Sequence, residues 1–161
     1  MLLTDAVFST INCQMNAGWT IERQEINAAD GATGAPGDIT IYKDGAIFKA
    51  IEVTERPIDG SRVASTFSTK ITLNNAAEYL FVYTNDLPRE NALERAKAYF
   101  AQGYNINFAS ITDLTIHILL SGDEAFRTAY NERMFELFNA QDVQATIKVA
   151  WNDALTEAMQ A

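Results

Sequence analysis

Asp38 and Glu52 are the residues whose type and setting suggest chemistry. Ile39-Thr40-Ile41-Tyr42 follows the first, Ala46 to Thr54 contains the second, and Asp44-Gly45 between them is a turn signal, so the stretch reads as a β-hairpin. Two carboxylates brought together, with Thr54 two positions after the second, would make a hard oxygen-donor site suited to magnesium rather than zinc. Acidic residues also collect at strand ends for no reason beyond turn formation and solvation, so the turn geometry has to decide.

If Asp44-Gly45 is a two-residue loop, Lys43 pairs with Ala46, Asp38 falls opposite Ile51, and the two carboxylates lie on opposite faces, which excludes a shared site. If the loop is Lys43-Asp44-Gly45, with Gly45 left-handed, Tyr42 pairs with Ala46 and Asp38 with Ala50, which makes Glu52 its diagonal neighbour at about 7 Å. The second register is the one expected, because it allows a shared site. It also sends Ile39, Ile41, Ile47, Ile51 and Val53 to one apolar face that should pack on the core.

Asp38 followed by Glu52-Val53-Thr54 resembles the PD-(D/E)xK nuclease pattern, in which an Asp and a Glu hold magnesium. More narrowly, Ile26-Asn27-Ala28-Ala29-Asp30, Gly34-Ala35-Pro36-Gly37-Asp38-Ile39 and Glu52-Val53-Thr54-Glu55-Arg56 resemble the SacI-type type II restriction endonucleases, over roughly residues 15 to 120. The resemblance implies a Mg2+ ion held by Asp38 and Glu52, with the Val53 carbonyl as a further ligand and Glu25 as the candidate for an added acidic group. One departure stands out: Thr54 occupies the place of the pattern's lysine. Lys70, in the next expected helix, is the candidate replacement, and Arg56, Arg62 and Lys70 are the candidates for contact with DNA phosphates.

The whole chain carries a net charge of −9, which is awkward for a nucleic-acid binder. The distribution softens the objection. Lys43, Lys49, Arg56, Arg62 and Lys70 outnumber Asp44, Glu52, Glu55 and Asp59 between residues 43 and 70, whereas acids predominate after residue 121. With 48% apolar residues in 161, the expectation is one domain spanning 1–161, with a core over about 1–120 and a helical part over about 121–161. No membrane span or signal peptide is expected, and the cytoplasm is the default location. A lone Cys13 excludes an internal disulfide framework and reads as a structural thiol.

The remaining elements follow from periodicity. Leu3, Val7 and Ile11 predict an amino-terminal helix with Thr4 as cap, ended by Gly18. Ser61 to Asn75, with Val63, Phe67 and Ile71, predicts a second helix. Glu78 to Thr84 reads as a strand buried on both faces, and the segment from Pro88 to Gly103 as a helix. Leu114 to Leu120 reads as another buried strand, with His117 packed in the core. Ser121 and Glu124 suggest a capping box, and Phe126-Tyr130-Met134-Phe138 and Val143-Ile147-Trp151-Leu155 predict two further helices. The order implies an α/β fold with a mixed sheet, similar to the restriction-endonuclease-like core, with two extra C-terminal helices.

The expected activity is thus Mg2+-dependent hydrolysis of DNA phosphodiesters by Asp38, Glu52, Thr54 and Lys70; the aromatic stripe of the last two helices is expected to pack as core, with a homodimer interface through this appendage as the open alternative. Two other readings stay open: a non-cutting or degenerate nuclease-fold module that binds DNA or protein, and an unrelated α/β interaction domain.

Overall fold

The computed structural model describes residues 1–24, 34–140 and 143–160. Its centre is a five-stranded mixed sheet in sequential order, β1 (Thr20–Arg23), β2 (Ile39–Lys43), β3 (Ala46–Thr54), β4 (Glu78–Tyr83) and β5 (Asn105–Ser110). β2 pairs antiparallel with both β1 and β3, and β3, β4 and β5 run parallel. The parallel pairs need crossovers. The first runs through α2 (Gly60–Thr66), a π-helical turn (Phe67–Ile71) and α3 (Thr72–Asn74); the second runs through α4 (Glu90–Phe100).

Alternation along β3 and β4 divides the core into two layers. Ile51 of β3, with Leu80 and Val82 of β4, points into a cluster that holds Val7 and Phe8 of α1 (Leu2–Met15) and Met134 and Phe138 of α6 (Glu124–Asn139). Ala50, Tyr79 and Phe81 point the other way, onto Val63, Ile71, Ala92 and Ala96 of the crossover helices. Helices thus cover both faces. Buried Asp5 adds a polar tie on the first side, with Arg23 Nε and Arg133 Nη2 each 3.3 Å from its carboxylate.

The segment from Leu114 to Leu120 is not a strand: it lies in helix α5 (Ile111–Ser121). Ser110 accepts the Asp113 N–H at 3.2 Å and caps it, and Ile111, Leu114 and Ile118 recur at helical spacing against the core. A short apolar run cannot be told from a buried helix by periodicity alone. His117 is consequently an exposed helical residue whose Nδ1 lies 2.7 Å from the Asp113 carbonyl. Two expected caps also differ. Thr4 is buried inside α1, which begins beyond Met1, and α6 is capped by Asp123, whose carboxylate accepts the Phe126 N–H. The last helix, α7 (Ala145–Gln160), carries Ile147, Trp151 and Leu155 as expected.

Candidate active site

The hairpin turn is the two-residue Asp44-Gly45, with φ of 53° and 79°, the pattern of a type I′ turn. Lys43 pairs with Ala46 and Tyr42 with Ile47, so the expected three-residue loop is absent. The carboxylates nevertheless share a site, because a β-bulge at Phe48 shifts the ladder to Ile41–Lys49, Thr40–Ala50 and Ile39–Ile51. Continued by one residue, that register sets Asp38 opposite Glu52. The bulge also turns Ile47 away from Ile39 and Ile41, and it packs in the Tyr79 layer instead.

Asp38 is held by its neighbours on two strands. Gln24 donates its backbone N–H to the Asp38 carbonyl and its Nε2 to the Gly37 carbonyl, both at 2.9 Å. At Gly37 the chain passes so close to β3 that an added Cβ would collide with the Ile51 backbone, which is why glycine is needed there. Asp38 Oδ2 then accepts the Val53 N–H at 2.7 Å. In an extended strand the N–H and C=O of one residue project to the same edge, so the Val53 carbonyl also points to the Asp38 side.

Glu52 is 7% exposed and gathers three donors. Arg62 Nη2 lies 2.6 Å from Oε1; Lys70 Nζ and the Tyr79 hydroxyl lie 3.1 and 2.9 Å from Oε2. The convergence of Arg62 and Lys70 depends on the π turn. Eight residues of regular α-helix would leave them about 80° apart, whereas one extra residue absorbed by a π turn brings them within about 20°. The same correction aligns Val63 and Ile71 on the buried side.

The two carboxyls are pushed in opposite directions. Burial raises Asp38 above its ordinary value, the nearby Glu52 charge adds to this, and the Val53 hydrogen bond and Lys70 only partly offset it. Burial would also raise Glu52, yet the Lys70 charge and the bonds from Arg62 and Lys70 outweigh it and hold Glu52 below its usual range. Glu52 is anionic and compensated. Asp38 is the carboxyl for which positive charge, from Lys70 and the amino terminus, only partly offsets the cost of burial.

Asp38, Glu52, Val53, Thr54, Arg56, Arg62 and Lys70 all line one cleft, so the hairpin, helix α2 and the π-helical turn after it bring together every expected site residue except Glu25, which lies outside the described residues. Thr54 is buried, and its Oγ1 accepts the Arg56 N–H at 3.0 Å, clamping the chain as it leaves β3. Among the described residues no group of three or more His, Cys, Asp or Glu side chains forms a metal-binding cluster. An ion here would therefore meet two carboxylates, a carbonyl and water, an all-oxygen set that fits Mg2+ and not zinc. Cys13 is exposed and is not among the residues of the cleft. The member of the cluster that sequence reasoning missed is Tyr79; within a run of buried apolar residues nothing distinguishes a hydroxyl with a partner from a packed ring.

Residues 1–85 match the family model described as SacI restriction endonuclease C-terminal domain. No curated protein shows a significant match. The matched segment runs from α1 through β4 and contains Asp38, Glu52, Lys70 and Tyr79.

Proposed function

The chain belongs to the SacI restriction endonuclease C-terminal domain family, whose name marks it as related to DNA-cutting restriction enzymes, and from that premise we propose a Mg2+-dependent DNA endonuclease with a PD-(D/E)xK-type site. The observation that carries this is the ammonium of Lys70 at 3.1 Å from Glu52, which supplies from helix α2's π-helical extension the cation that Thr54 lacks.

In this reading Asp38, Glu52 and the Val53 carbonyl would hold Mg2+, which when bound would lower the pKa of a water and offset charge on the phosphoryl oxygens. Lys70 holds the attacking water near Glu52 and donates to the phosphate as negative charge builds on it. Arg62 and Arg56, which line the same cleft, bind the flanking phosphates and set the backbone's position. Thr54 fixes the strand exit so that Arg56 faces the cleft. A homodimer would present two such sites to the two strands of a duplex, and the cytoplasm is where such an enzyme would meet DNA. No helix among the described residues is long and apolar enough to cross a membrane.

Incubation of the purified chain with supercoiled plasmid should give discrete fragments with Mg2+ and none with EDTA. One observation favours a second reading, a nuclease fold that binds DNA without cutting: both oxygens of Glu52 are already engaged by protein donors. Retarded but uncut DNA in the same assay would select it.

A further inference from the structure

We propose that Tyr79 is a positioning residue of this site, acting through Glu52; the inference rests on the function proposed above. Tyr79 is 1% exposed and stands on β4 directly beside Ala50, whose small side chain leaves room for the ring to reach Glu52 two residues along the same face. Its hydroxyl donates to Oε2, the oxygen that also receives Lys70. The two donors differ in kind. Lys70 reaches in from the π turn on a flexible stem that is 33% exposed, whereas Tyr79 has two side-chain torsions and is enclosed in the sheet. Tyr79 therefore fixes where Oε2 lies, and the fixed oxygen in turn sets where the ammonium of Lys70 rests.

Packing alone does not call for the hydroxyl. Phe81, on the same face of the same strand with its ring centroid 5.1 Å from that of Tyr79, fills its place without one. Without the phenol, Glu52 would keep Arg62 on Oε1 and Lys70 on Oε2, and its carboxylate could turn about its last torsion as both long cations followed it. A site whose donors must sit within about 0.5 Å of their working positions would lose rate before it lost substrate affinity.

The test is Tyr79→Phe in the full chain. Single-turnover cleavage should slow about tenfold while half-saturation by DNA stays within about twofold, the signature of an interaction made in the transition state. The Mg2+ concentration needed for half of the ion-induced rise in melting temperature should increase several-fold, a reading that needs no cleavage. A variant with parental rate and parental Mg2+ midpoint overturns the assignment, as does a loss of rate that disappears on cooling in step with lost stability. If the unsubstituted chain shows neither cutting nor a Mg2+-dependent shift, the metal-site reading itself falls, and this inference with it. Should Tyr79→Phe fail to fold, 3-fluorotyrosine placed at position 79 keeps ring and donor; its fluorine resonance should move on Mg2+ addition, and an unmoved resonance refutes the link to the site.

Discussion

Replacing Lys70 by methionine keeps the unbranched stem of the side chain and removes its ammonium, and the structure separates what this should do to stability from what it should do to chemistry. Glu52 would retain Arg62 on Oε1 and Tyr79 on Oε2. Because a third of the Lys70 side chain is in solvent, the lost pair should cost only about 1 kcal/mol of stability. For a chain of this size that is a fall of about 2–4 °C in Tm. Cleavage should suffer far more. Loss of one donor to developing transition-state charge costs about 2.7–4 kcal/mol, a rate lower by about 10²–10³-fold. DNA binding, measured with Ca2+ in place of Mg2+, should fall much less. The assay is single-turnover cutting of supercoiled plasmid beside a thermal melt, and chemical rescue sharpens it: Lys70→Cys alkylated with bromoethylamine restores an amine of nearly lysine length. The exposed Cys13 must first be changed to serine so that only position 70 reacts. A Lys70→Met protein that cuts at the parental rate refutes the assignment, and so does an alkylated Lys70→Cys protein as slow as the unmodified one.

Asp38→Asn should raise the melting temperature in EDTA at neutral pH and abolish the Mg2+-dependent shift; a melt lowered by the change would contradict the charge argument. The sign follows from its raised folded pKa: the native state holds that proton to higher pH than the unfolded chain, so stability falls as pH climbs from about 3.8 through the folded value, and the amide removes that fall. Glu52→Gln should do the reverse, costing about 1–3 kcal/mol by leaving Arg62 and Lys70 with only a neutral amide oxygen. Since Glu52's folded pKa is depressed, that difference should be present above pH 4.5 and vanish as pH falls through the folded value; a penalty independent of pH would refute it. Gly37→Ala should push the lead-in of β2 off Ile51 and raise the Mg2+ concentration needed for half of the ion-induced melting shift, and an unchanged midpoint would contradict the close approach. DNA affinity should fall with salt at a log–log slope of about −3 or shallower, from Arg56, Arg62 and Lys70, and a slope near −8 would mean that another surface carries the DNA.

The hairpin, its carboxylates and the helix that follows were legible because β-rich runs around Asp44-Gly45 and the spacing of Val63, Phe67 and Ile71 each have a direct physical reading. Two adjustments by a single residue were not. The bulge at Phe48 inserts one position into β3 and so puts the two carboxylates on one face despite a two-residue turn, with Asp38 opposite Glu52 and not diagonal to it as the longer loop would have placed it. The π turn at Phe67–Ile71 does the same for a helix and brings Lys70 round to the face of Arg62. Neither leaves a mark in periodicity, since one extra residue shifts a pattern no more than an exposed apolar side chain does, and Phe48, 39% exposed against Trp19, looks like either. The misassigned Leu114–Leu120 has another cause: it is apolar on nearly every side, so a helix partly exposed at Ile116 and Leu120 reads like a doubly buried strand.

The opposed shifts of Asp38 and Glu52 also bear on how a chain of net charge −9 could handle DNA. Its cations need not form a broad basic face if the few that matter are already oriented, and Glu52 orients two of them by holding Arg62 and Lys70 at fixed distances. The anion of Glu52 therefore serves the fold before any substrate arrives. Asp38 is different: it is part-buried beside a like charge and draws its stabilisation chiefly from one backbone N–H, so a divalent ion entering the cleft would relieve Asp38 more than Glu52. Environments that drive two neighbouring carboxyls apart are a recurring mark of functional pairs. In the proposed reading this separation gives the structural share of the work to Glu52 and would leave Asp38 as the group whose energy depends most on a bound ion.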